Sequence, residues 1–297
     1  MSARAWALFA AMSLIWGVPY LFIKIAVDDG VPPIVVAWAR VLLGALVLLP
    51  FAARAGALRG LRERWRWVVA FAVTEIVIPF PLIGFGEVHV SSSLAAILIA
   101  ALPLLMAVLT LRFEPGERIT SARLAGLLCG LTGVVVLMGI EVAGRRDELI
   151  GALCILLATC GYAVGPLVVR LRLRDADPRG VSAAALAIAA LILTPALAIT
   201  PPHAWPGAGA LASIAVLGVL CSALAFVLFF ALIVEAGPTR ATVITYVNPA
   251  VAVLLGVTLL DERLGAASIA GLALILAGSW TATGGRLPGA RRRVAAS

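Results

Sequence analysis

Residues Thr74–Glu87 read TEIVIPFPLIGFGE, an apolar run that holds the carboxylate Glu75 and then Pro79 and Pro81. Arg40 stands inside a second apolar run and Lys24 inside a third. A carboxylate in such surroundings takes a proton or a cation, and a guanidinium takes an anion. Proline has no N–H for the carbonyl four residues back, so in an α-helix Pro79 frees the carbonyl of Glu75 and Pro81 that of Val77. A carboxylate beside loosened carbonyls makes a polar spot in an apolar wall, the device carriers use where helices are interrupted. The simpler reading is a kink that serves packing. Arg40 and Glu75 are therefore either a structural ion pair or a site for a charged solute. Lys24, close to a helix end, either snorkels to the surface or touches that solute. Trp16, Tyr20 and Phe80 share intermediate depth and could wall the same space, as could Tyr162, Tyr246 and Asn248. Ser91, Ser92 and Ser93 read first as helix caps.

Other chemistries lack their residues. His89 and His203 are the only histidines and have no metal-ligand spacing. No glycine-rich phosphate loop exists to bind ATP. Cys129, Cys154, Cys160 and Cys221 form no C-x-x-C pair and read as small packing residues. No catalytic residue, metal or cofactor is expected. A membrane-embedded enzyme or a channel is the alternative class, but no nucleophile–base pair and no filter-like loop supports it.

These residues must be positioned by elements suited to lipid. Hydrophobic residues form 63% of the 297 and charged residues 13%, far from the balance of a water-soluble domain. Apolar runs of roughly 20 residues, the length that crosses a bilayer, recur almost end to end. Ten are expected: Ala5–Val27, Pro33–Ala53, Trp67–Phe85, Ser92–Leu111, Ser121–Glu141, Leu149–Val169, Val181–Thr200, Ala208–Phe230, Ala241–Leu260 and Ala266–Thr283. The fold class is an all-α integral membrane protein. The first run is too long for a secretory signal and ends in Asp28 and Asp29, so it counts as a helix.

Alternate loops differ in charge. Arg54, Arg59, Arg62, Arg64 and Arg66 share one loop, and Arg170, Arg172, Arg174 and Arg179 another on the same side. With the ends of the chain and the remaining loops of that side, it holds 18 of the 23 basic residues, against Arg145, Arg146 and Arg263 opposite. The opposite loops carry Asp28, Asp29, Glu87, Glu141, Asp147, Glu148, Asp261 and Glu262. This asymmetry puts both termini in the cytoplasm. Without interleaved aromatics it does not suit nucleic acid; the partners expected are the bilayer and a small solute.

The chain also repeats itself. Pro103 aligns with Pro249, Glu117-Arg118 with Glu262-Arg263, Gly126 with Gly271 and Gly133 with Gly278. Five helices per copy is an odd number, so the second copy runs through the membrane in the opposite sense. The expected units are an inverted five-helix repeat over 1–141, its partner over 149–284, and a basic tail over 285–297. The glycine stripe Gly126, Gly130 and Gly133 marks close packing, within the monomer or across a homodimer.

Trp16-Gly17, Arg40 after Pro33, Pro103 before Gly116-Glu117-Arg118, Asn248-Pro249, Asp261-Glu262-Arg263, Gly271 and Gly278 together resemble the EamA branch of the drug/metabolite transporter superfamily. The resemblance spans helix 1 to about Gly285. It implies a ten-helix carrier of the bacterial inner membrane, often an exporter of amino acids, other metabolites or toxic compounds. The PFP stretch is outside the general pattern, and in the second copy Cys221 and Ala225 stand where Glu75 and Pro79 stand in the first.

Overall fold

The computed structural model describes residues 1–113, 120–140, 144–200, 205–237, 241 and 243–283. Gly116-Glu117-Arg118, His203 and the basic tail lie outside them. Among the described residues there are helices and no strand. Eight helices are long and apolar enough to cross a membrane: Ala3–Asp28 (α1), Pro33–Arg54 (α2), Arg62–His89 (α3), Ser92–Leu109 (α4), Ser121–Gly139 (α5), Arg146–Leu173 (α6), Pro178–Leu197 (α7) and Ala208–Ala236 (α8). Two shorter apolar helices follow, Ile244–Leu259 (α9) and Ala266–Ala282 (α10). The ten expected spans are all present.

Two of them differ from expectation in ways that matter. Helix α1 is broken at Trp16-Gly17-Val18, and Pro19 opens its second segment. A Cβ on Gly17 would stand 2.6 Å from the Val251 side chain, so the break is where α9 packs closely. Helix α3 continues past Phe85 to His89 and stops only where Val90 turns extended and the Ser91 hydroxyl caps α4, accepting from the Leu94 N–H at 3.1 Å. Glu87, expected in a loop, is therefore a buried membrane residue. Leu82–Val88 is apolar apart from that one carboxylate, and one charge does not end a helix.

The helices pair as an inverted repeat demands. Numbering the copies α1–α5 and α6–α10, the close pairs are α5 with α10, α2 with α7 and α4 with α9; α1 with α8 and α3 with α6 are each other's counterparts. Exchanging the copies returns the same set. The glycines show this at atomic scale. A Cβ on Gly126 would lie 2.8 Å from the carbonyl oxygen of Gly278, and one on Gly133 2.8 Å from that of Gly271. Since Gly126 corresponds to Gly271 and Gly133 to Gly278, the contact is self-complementary and antiparallel. This stripe joins the two copies inside one chain.

Each face of the bundle is tied across the copies. On the acidic face, the Asp29 carboxylate accepts from the Gly207 N–H at 2.7 Å, at the start of α8. Glu262 accepts from the Ser92 N–H at 2.7 Å and the Ser93 N–H at 3.0 Å, at the start of α4. Both place an anion on the free N–H groups of a helix in the other copy. On the basic face, Arg64 approaches Asp175 at 3.9 Å and the Arg172 guanidinium lies 4.5 Å from the ring centre of Trp67. Asp177 caps α7 there, accepting from the Arg179 N–H at 2.9 Å; hydrogen bonding from Arg179 holds its carboxyl below the usual carboxylate range. Trp65 and Trp67 are both exposed at this face, as belt residues are.

The glycine seam gives a direct test. Gly278→Leu forces a side chain into the backbone of α5 and is expected to destabilise the monomer by about 1–3 kcal/mol or more. Its melting temperature in detergent should fall clearly. An unchanged melt would mean that α5 and α10 do not pack this way.

Candidate functional site

Arg40, on α2, is buried. A charge so placed on a spanning helix costs about 2.5–3.5 kcal/mol even on lenient scales, so its surroundings must compensate. Its guanidinium carbon lies 4.0 Å from the centre of the Phe80 ring on α3, within cation–π range. Its Nε donates to the Ser222 hydroxyl on α8 at 3.1 Å, and that hydroxyl donates to the Leu217 carbonyl at 2.9 Å. Tyr20 on α1, Tyr162 on α6 and Glu87 on α3 lie within its electrostatic reach. Among the described residues no carboxylate bonds to it. Residues of both copies thus converge on one guanidinium.

Glu75 occupies a widened turn of α3, Val73–Val77. There the Ile78 N–H donates to the Val73 carbonyl at 3.0 Å, five residues back instead of four. The register shift changes the expectation for Pro79: its missing N–H now falls opposite the carbonyl of Thr74, not that of Glu75. Gly161 of α6 lies against that carbonyl and against the Pro79 ring. The Glu75 carboxylate meets Gly165 of α6, where a Cβ would collide with Oε2. That oxygen is buried without a hydrogen-bond partner. Arg40 and Glu75 do not form the ion pair that the sequence left open. Tyr162 is within electrostatic reach of both.

The second copy has its own widened turn, Val216–Leu224 in α8, which contains Cys221, the counterpart of Glu75. It needs no proline. Wide turns thus stand at matching positions of α3 and α8, the two helices that bring Phe80 and Ser222 to Arg40, and such turns are frequent at functional sites.

The remaining residues go elsewhere. Trp16 packs on Phe229 and Phe226 of α8 at 4.7 and 6.4 Å between ring centres. Tyr246 lies against Trp280 of α10 at 6.0 Å, and its hydroxyl pairs with that of Thr283 at 3.0 Å. The Asn248 amide nitrogen faces the carbonyls of Ser13 at 3.2 Å and Ile244 at 2.9 Å, tying α9 to α1. Lys24 does not snorkel free: it pairs with Asp28 at 3.0 Å and donates to the Glu87 carbonyl at 2.8 Å. Ser222 and Gly165 were not anticipated. A serine within LCSALAF and a glycine three residues after Tyr162 are ordinary in apolar helices, and only the fold brings them to Arg40 and Glu75. A groove of about 340 Å³ between Trp38 and Thr194 and one of about 430 Å³ at Ala53–Arg59 are lined by neither Arg40 nor Glu75.

Comparison with known proteins places these features in context. The model of the EamA-like transporter family matches residues 3–139 and again 149–284. The uncharacterised inner membrane transporter YedA of Escherichia coli (strain K12) is 30% identical over 270 residues, 87% of this chain and 83% of its own length. The uncharacterised transporter YoaV of Bacillus subtilis (strain 168) is 24% identical over 277 residues, 90% and 92% of the two chains. A protein of Escherichia coli (strain K12) named as a probable amino-acid metabolite efflux pump is 27% identical over 165 residues, 56% of this chain and 53% of its own. One crystal structure superposes with a TM-score of 0.67 at 22% identity, covering 95% of this chain and 98% of the other, and so shares the fold.

The contact between Glu75 and Gly165 predicts coupling. Gly165→Ala alone is expected to destabilise by about 1–3 kcal/mol. In a Glu75→Ala background the loss should shrink by at least about 0.5 kcal/mol, read from melts of the four proteins. Strict additivity would show that the carboxylate does not face α6.

Proposed function

The chain belongs to the EamA-like transporter family, and from that premise we propose that it exports small amino-acid-like or amine metabolites by alternating access. The observation that carries this reading is the buried Arg40 guanidinium, held by Phe80 of the first copy and Ser222 of the second with no carboxylate bonded to it among the described residues. Five residues from Phe80, about 7.5 Å of helix rise, Glu75 presents an unpartnered oxygen. An α-amino acid suits this pair: its carboxylate goes to Arg40 and its ammonium to Glu75, with Phe80, Tyr20 and Tyr162 as walls. Trp16, Pro79, Pro81, Tyr246 and Asn248 support the helices that move.

The moving bodies are the copies over 1–141 and 149–284. They rock about the solute, breaking the acidic-face ties in one state and the basic-face ties in the other. No nucleotide enters the cycle, because the chain has no phosphate loop. The membrane is a bacterial inner membrane with both termini in the cytoplasm, as the charge asymmetry of the loops indicates.

A panel of radiolabelled amino acids and amines in inside-out vesicles without nucleotide tests the reading. At least one should move down an imposed gradient. Arg40→Gln and Glu75→Gln should each reduce that flux at least about tenfold, a factor corresponding to roughly 1.4 kcal/mol. Flux that requires ATP, or that neither substitution affects, would refute it. In a cysteine-free background, an impermeant thiol reagent added to whole cells should label Arg145→Cys and spare Arg62→Cys; the reverse would invert the orientation.

A further inference from the structure

Twelve residues beyond Glu75, about 18 Å of helix rise, α3 carries a second carboxylate without a partner. Glu87 is 0% exposed, and neither of its oxygens has a hydrogen-bond partner among the described residues. The charged and titratable groups around it come from several elements: Tyr20, Lys24 and Asp28 of α1, Arg40 of α2, and Glu262 after α9. The four charged groups among them are engaged elsewhere. Lys24 is paired with Asp28 and reaches only the main chain of Glu87. Glu262 is bonded to Ser92 and Ser93 of α4, and Arg40 to Ser222. On α3 itself His89 packs its ring on Phe85 at 4.9 Å. From α6, Ile155 and the Gly151 carbonyl close on Gly86. At the start of α4 the Ser92 hydroxyl is also buried without a partner.

A sealed carboxylate that bonds nothing contributes nothing to the fold that an apolar residue would not contribute better. Its charge must be removed by a proton or matched by a cation. Two features of the surroundings favour the proton. The space beside Glu87 already holds the Lys24–Asp28 pair, and the Glu262 clasp closes the start of α4 five residues on from Glu87, within electrostatic reach of it. Opening that clasp would admit water to the carboxylate.

We propose that Glu87 is the proton-carrying residue of this transporter, loaded from the acidic face when the Glu262 clasp on α4 opens. One proton from water forms an O–H bond on a Glu87 oxygen and cancels the carboxylate charge. After the copies rock, the same proton leaves to water on the other side and the carboxylate is restored. Glu87 thus carries the coupling ion while Arg40 and Glu75 hold the solute. This rests on the transporter reading given above.

The test compares wild type, Glu87→Gln and Glu87→Asp in proteoliposomes, with a radiolabelled amino-acid mixture as the probe. Exchange of label at equal pH on both sides reads solute binding and rocking. Accumulation against a concentration gradient, driven by a pH difference, reads coupling. Glu87→Gln should keep exchange and lose accumulation, while Glu87→Asp should regain part of it. Loss of both, retention of both, or a wild type driven by a sodium gradient and not by pH would each overturn the proposal. A second arm needs no solute. Infrared difference spectra of wild type minus Glu87→Gln should show a protonated carboxyl C=O band that shifts in D2O. Its absence would overturn the proposal even if the mixture contains no substrate; its presence with no exchange would fault the choice of solute class instead.

Discussion

Hydrocarbon offers a charged group no partner of its own, and the centre of this bundle is arranged around that constraint at Arg40. The guanidinium rests on the Phe80 ring and donates to Ser222. Ser222 is in turn bonded to a carbonyl five residues back, a geometry belonging to the widened turn of α8. The matching turn of α3 carries Glu75 and brings its carboxylate against Gly165. Irregular backbone in two helices related by the repeat thus seats the two charged groups, Arg40 through α8 and Glu75 in α3. Irregular backbone at membrane depth persists only where protein or a water-filled cavity satisfies it.

The repeat joins its two copies by contacts of two kinds. Gly126, Gly133, Gly271 and Gly278 hold α5 and α10 backbone to backbone, a seam with little room for sliding. The ties between copies at the two faces are of another kind: single carboxylates on helix N-termini, and arginines near tryptophans and an aspartate. Such contacts are individually modest when exposed. On the proposed alternating-access cycle, the tight seam stays closed while the weaker face ties open.

The ten helices and their inverted pairing were legible in the sequence because lipid demands long apolar runs and an odd-numbered repeat must invert. The site was legible only in part. Arg40, Phe80, Tyr20 and Tyr162 do converge, since charge and aromatic character at intermediate depth are visible in the chain. Which way a side chain faces is not. Tyr246 and Asn248 have similar depth and chemistry, yet they pack toward α10 and α1. The prolines announced a disturbed helix in α3 but not the one-residue register shift that moves the freed carbonyl from Glu75 to Thr74. The wide turn of α8 has no proline to announce it. Glu87 was hidden by its charge, which reads as a helix end until the fold shows α3 continuing to His89.

The central claim is that the solute sits at Arg40, against the stretches of α3 and α8 that supply Phe80 and Ser222. Hydrogen–deuterium exchange on the purified protein, with and without the amino-acid mixture, measures this directly. The solute should slow exchange in peptides spanning 73–80 and 216–224 together, one from each copy, and the effect should vanish in Arg40→Gln. Protection confined to one copy, or appearing along α5 and α10 instead, would contradict the account.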